Sequence, residues 1–203
     1  IVADNYLKIT ENDKYCTEEI KKIKASNILS YNENKVKYSD LNNYKHINYK
    51  LTIQSIIALN SFFESLINEI GIVGLGKKYF TDNLDKLKLI SKLEIIPKLV
   101  YKKELNRKRE YLKPIKSLIK SRNDLVHPKS SEILNNYETI LKTIESTNEY
   151  FELLFENLLV LEKFYTDIKE LDTEKIILIN LYIEKEIERI KTCTQHRLNF
   201  MQV

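Results

Sequence analysis

Residues 51–71 read LTIQSIIALNSFFESLINEIG. Within and around them Ile53, Ile56, Ile57, Phe63, Leu66, Ile67 and Ile70 recur at steps of three and four, the mark of one buried stripe on an α-helix. The pattern predicts a long helix over residues 44–70, ended by Gly71. The same period returns on both sides. Thr17 is placed to cap a first helix over 17–29, with Glu18 and Glu19 in its first turn. Residues 31–43, YNENKVKYSDLNN, read as a polar connection. Thr81 caps a short third helix through Leu84, Leu87 and Leu89, and KLEIIPKLVY (92–101) continues helically, kinked or restarted at Pro97. KKELNRKRE (102–110) reads as a loop. YLKPIKSLIKSRNDLVH (111–127) carries Leu112, Ile115, Leu118, Ile119 and Leu125 at helical spacing, and Pro128 closes it. A long helix follows over 131–165, capped by Ser131, and a last one over about 173–191.

Composition agrees with this all-α reading. The 203 residues contain 3 Gly and 3 Pro, too few for the tight turns of a sandwich or barrel or for the glycine-rich loops of a doubly wound sheet. Two cysteines, Cys16 and Cys193, exclude a disulfide scaffold. All three glycines lie in GIVGLGKK (71–78), one residue short of a phosphate-binding loop. Lys78 stands where that motif needs a hydroxyl, and a helix precedes it where a strand is required, so it reads as a helix-terminating loop. The opening IVADNYLKIT has no signal-peptide pattern. The longest apolar stretch, residues 176–183, is far short of the roughly twenty that span a membrane. The expectation is a cytoplasmic protein of one domain over 1–203, with no membrane partner.

Charge is distributed unevenly. Residues 101–122 hold nine basic side chains against two acids, a net of +7, whereas 132–190 hold fourteen acids against six bases, a net of −8. This asymmetry suggests an anion-binding face beside an acidic body, with a solvated lysine-rich surface as the alternative. Lys102, Lys103, Arg107, Lys108, Arg109 and Lys120 are the candidate phosphate-contacting residues, all but Lys120 expected at the mouth of a site.

That site is sought in SRNDLVHP, residues 121–128. Histidine titrates nearest neutrality and moves protons at cellular pH. Arginine offers a permanent, planar charge matched to phosphate. On an ideal helix Asn123 and His127 share a face, while Arg122 and His127 stand about 140° apart. They converge if the helix loosens before Pro128, or if two copies meet across a symmetry axis. The groups suit attack by an RNA 2′-OH on the adjacent phosphodiester, in which the substrate supplies the nucleophile and no metal is needed. His46 reads as surface, and His196 with Cys193 lacks the second pair a zinc site requires.

Arg-Asn-x-x-x-His ahead of proline, in an all-α chain, resembles the signature of HEPN domains, and the likeness extends over about residues 44–165. The resemblance implies an antiparallel helical bundle with an extra C-terminal helix over 166–203. It implies a metal-independent endoribonuclease with Arg122, Asn123 and His127 as catalytic residues and no cofactor, acting as a toxin or antiphage effector under an antitoxin or regulatory protein. It also implies a polar residue of the second helix behind the motif. Asn60 and Glu64, which interrupt that helix's apolar stripe, are the candidates, Glu64 as the partner of Arg122. Family members commonly pair two motifs at a dimer cleft. Phe151, Leu153, Leu154, Phe155, Leu158, Leu159, Val160, Leu161 and Phe164 cover nearly every side of the long helix, which adds an expectation of surplus apolar surface and a homodimer. The alternative is a non-catalytic HEPN-like module that binds a protein partner or nucleotide.

Overall fold

The structure, a computed structural model, describes residues 1–25, 31–105, 108–126, 137–172 and 181–201. Among these there are seven helices and no strand: α1 (Val2–Ala25), α2 (Tyr31–Leu75), α3 (Lys77–Asn83), α4 (Leu89–Tyr101), α5 (Lys108–Val126), α6 (Tyr137–Leu171) and α7 (Leu181–Met201).

The central element is α2, which packs on α1, α3, α4, α5 and α6. Its stripe is buried as the spacing requires: Ile56, Phe63, Ile67 and Ile70 are inaccessible to solvent. The helix is longer than its apolar pattern at both ends. Residues 31–43, expected as a connection, are its first turns. They contain no Gly or Pro to stop a helix, and α1, which starts fifteen residues before Thr17, lies beside them. Leu41 packs with Cys16 there, and Tyr15 meets Tyr44 at 5.0 Å between ring centres.

Gly71 does not end α2 either. A Cβ at Gly71 would stand 2.6 Å from the Phe80 ring and 3.2 Å from Ile96, and one at Gly74 would stand 2.5 Å from Val100. Both glycines sit inside the helix and let α3 and α4 approach it. The turn falls at Gly76, whose φ of +87° suits glycine and which precedes α3 directly. Leu84 ends α3, and α4 starts afresh at Leu89 and passes through Pro97 unbroken.

Residue pairs between helices fix their directions. Asn48 on α2 accepts from Asn12 Nδ2 at 2.8 Å and donates to Asp13 Oδ1 at 2.7 Å, while Tyr44 meets Tyr15, so α1 and α2 are antiparallel. Lys92 meets Asn68, Ile96 meets Gly71 and Val100 meets Gly74, so α4 runs parallel to α2. Tyr111, at the start of α5, stacks edge-on against Phe164 and donates to Asp167 near the end of α6. Glu110 faces Lys163 beside it, and α5 packs on both α6 and α2. Helix α7 returns along α6, with Lys169 bound to Glu184 at 2.9 Å, and reaches α1 through Arg189 and Asp4.

The expected apolar surplus of the long helix is consumed inside the single chain. Phe151, Leu154, Phe155, Leu158, Val160, Leu161 and Phe164 are buried, and only Leu153 and Leu159 are half-buried. Helices α2, α5 and α7 pack around α6, and Tyr6 of α1 stacks on Phe151 and Phe155. Among the described residues one stretch, Ser39–Leu75, is long and apolar enough to cross a membrane by length and composition alone, although its longest uninterrupted apolar run is short. In this bundle it is the central helix, with Asn48, Thr52 and Ser55 buried along it.

Candidate functional site on helix five

Helix α5 carries the motif from Arg122 to Val126, and its inner face is one row. Tyr111, Ile115 and Leu118 are buried, at steps of four and three, and Leu125 packs half-buried at the far end. Arg122 falls in the same row, four residues after Leu118, and is half-buried. Its Nη1 donates to Asn123 Oδ1 at 3.0 Å. Asn123 and Asp124 are exposed. His127, Pro128 and the expected cap Ser131 lie outside the described residues, as does Arg107; so do the side chains of Lys108 and Arg109.

The expected support from α2 takes another form. Glu64 is exposed, and its Oε1 stands 3.8 Å from Nζ of Lys92 on α4, not beside Arg122. The spacing of α2 gave the face of Glu64 but not which helix lies against it, and that helix is α4. Asn60 keeps its side-chain oxygen buried with no hydrogen-bond partner among the described residues.

The basic residues do not converge on one mouth. Lys108 opens α5 and Arg122 stands fourteen positions on, about 21 Å along the axis. Lys102 and Lys103 precede Lys108, so they sit at the end of the bundle remote from Arg122. There Lys102 takes a left-handed φ of 58° and ends α4. Lys98 binds Glu104 at 2.6 Å. Lys103 lines an open cleft of about 460 Å³ with Glu104, Asp167, Glu170 and Leu171. Of the expected RNA-contacting set, Lys120 is exposed within one turn of Arg122.

Sequence reasoning missed three interior polar arrangements. Lys92 is 1% exposed, yet its Nζ donates to Asn68 Oδ1 at 2.9 Å and lies 5.6 Å from the Phe80 ring centre. Its place three residues after Leu89 and four before Ile96 was the available signal. Tyr111 and buried Asp167 share a hydrogen bond beside the cleft. Tyr101 has its hydroxyl pushed well above the ordinary tyrosine range by burial and by the Asp172 carboxylate. Among the described residues no group of three or more His, Cys, Asp or Glu is placed to hold a metal ion. No protein-family profile, curated protein or solved structure matches the chain.

Proposed function

We propose that this chain is a metal-independent endoribonuclease of HEPN type, cutting RNA by attack of the ribose 2′-OH on the neighbouring phosphodiester. The observation that carries the reading is Arg122. It stands in the apolar row of α5, half-buried, with its guanidinium held by Asn123, five residues before His127. The hydrogen bond to Asn123 is exposed, so the guanidinium is open to an incoming anion. A phosphate fits the guanidinium fork. In this reading Arg122 holds the scissile phosphate and stabilises its developing charge, His127 moves the proton, and Asn123 orients Arg122. The nucleophile comes from the RNA, so the chemistry requires no cofactor.

The biological role that goes with it is a cytoplasmic toxin or antiphage effector restrained by an antitoxin or regulatory protein. The homodimer belongs to the same reading. It rests on the 140° that an ideal helix puts between positions 122 and 127, which two copies would resolve by sharing a cleft; the apolar surface of α6 adds nothing to it, being covered within one chain. The non-catalytic alternative draws on one feature of α6, a shallow groove of Leu153, Phe155 and Leu159 rimmed by Glu149, Glu152 and Glu156, which suits a basic protein partner.

The deciding experiment incubates the chain with single-stranded RNA in EDTA. Cleavage leaving 2′,3′-cyclic phosphate ends is expected. His127→Ala and Arg122→Ala should each lower the rate by about 10²-fold or more, the usual scale for one acid–base or charge-stabilising group, with the helical circular dichroism unchanged. Equal cleavage by wild type and His127→Ala refutes the catalytic assignment. RNA or protein binding without cleavage establishes the alternative.

A further inference from the structure

The cleft of about 460 Å³ lies where helices α4 and α6 end, remote from Arg122. Lys103 and Glu104, just past α4, line one side. Asp167, Glu170 and Leu171 line the other, on one face of the last turn of α6, since they stand three and four positions apart.

The most buried lining group is a carboxylate. Asp167 is 8% exposed, and its Oδ2 accepts from the Tyr111 hydroxyl. Its Oδ1 accepts no hydrogen bond among the described residues. Unlike the orphaned oxygens of Asn60 and Asn157, Oδ1 is not sealed from solvent, so it opens into the cleft. No lysine or arginine among the described residues pairs with this carboxylate. A phenol hydrogen bond steadies the group but leaves its charge whole, and a charge so far out of water calls for a cation.

The surroundings favour the same sign. The last carbonyls of α4 and α6 bring the negative ends of two helix dipoles to this end of the bundle. Glu170 is exposed at the rim. Glu104 is taken by Lys98 at 2.6 Å, which leaves Lys103 as the opposing charge. An organic cation suits the cleft better than a metal ion. No three His, Cys, Asp or Glu among the described residues are placed to hold a metal, whereas an ammonium needs only one or two acceptors. The volume falls within the range of small-molecule sites, and Leu171 offers an apolar wall to methylene groups.

We propose that this cleft binds an alkylammonium group, with Asp167 holding the nitrogen, Glu170 assisting at the rim and Leu171 covering the carbon chain. The site stands independently of the ribonuclease reading.

The test titrates the full chain with cadaverine in a calorimeter at pH 7 and about 150 mM KCl, where loose surface attraction is screened. Saturable binding at one site is expected, and pentanol, a five-carbon chain without charge, should not bind. Asp167→Asn keeps an acceptor for Tyr111 and should weaken binding at least tenfold, since a charge-assisted hydrogen bond is lost. Glu170→Gln should weaken it about threefold, and Lys103→Gln, which removes a like charge, should tighten it about twofold. Glu11→Gln/Glu18→Gln, at exposed positions of α1, should change nothing. Absence of saturable binding, equal binding of pentanol, or equal affinity in Asp167→Asn with its helical circular dichroism intact overturns the site. If Asp167→Asn fails to fold, the exposed positions decide, and unchanged affinity in both Glu170→Gln and Lys103→Gln overturns it. Tighter binding of Nα-acetyl-lysine amide than of cadaverine assigns the ammonium to a protein side chain, and the reverse order assigns it to a free amine.

Discussion

Replacing Gly71 by alanine sets two effects of known size against each other. Alanine is the better helix former in a helix interior, by about 1 kcal/mol. At position 71, however, its Cβ would meet two carbons of the Phe80 ring at 2.6 and 2.8 Å and Ile96 Cδ1 at 3.2 Å. Neither neighbour has room to yield, for Phe80 is 2% and Ile96 0% exposed. Overpacking of this kind costs about 1–3 kcal/mol, so Gly71→Ala should destabilise the chain by up to about 2 kcal/mol. The sign should reverse when the ring is gone. Phe80→Ala alone costs about 3–5 kcal/mol, but in that background Gly71→Ala should stabilise by about 0.5–1 kcal/mol, because the helix-forming term then dominates. The coupling, about 1–3 kcal/mol, is read from a double-mutant cycle by urea denaturation followed at 222 nm. A wild-type background stabilised by Gly71→Ala, or the same change in both backgrounds, would refute the close approach of α3 to α2.

Asn48→Ala should cost about 2–4 kcal/mol in the same assay. It removes hydrogen bonds to Asn12 and Asp13 at a site 3% exposed, and a loss below about 0.5 kcal/mol would show that this bridge does not hold α1 to α2. Tyr165→Phe should reduce alkaline destabilisation. Burial and, secondarily, the Glu184 carboxylate push the Tyr165 hydroxyl up to about 12, whereas the unfolded chain ionises near 10. The stability that comes from keeping it neutral is therefore complete below pH 10 and declines between pH 10 and about 12. Identical denaturation midpoints for both proteins across pH 9–12 would contradict that assignment.

Much of α5 was legible beforehand. The expected helix over 111–127 and the observed Lys108–Val126 differ by three residues at the start, because Pro114 is compatible with an early turn and the apolar row is regular. The same row shows why Arg122 stands out, since its place after Leu118 is a matter of counting. Glu64 shows the limit. Its helix and its interruption of the stripe were visible, but its partner Lys92 lies 28 positions away on a helix whose direction relative to α2 no local pattern encodes. The basic cluster misled for a similar reason. Residues 102–122 are adjacent in sequence, and a helix turns that adjacency into about 21 Å between Lys108 and Arg122.

The sequence by itself determined the all-α character, the stripe that makes α2 the core helix, and most of the extent of α5. These depend on interactions within about four positions, and periodicity records those directly. Tertiary structure alone decided that Gly71 and Gly74 are contact points within α2 and not its end, that Lys92 is buried on Asn68, and that one chain covers the apolar faces of α6. Each of these outcomes depends on which helix lies across the interface and in which register. That choice is made by close packing over the whole bundle, where a methyl group at one position excludes a ring from another.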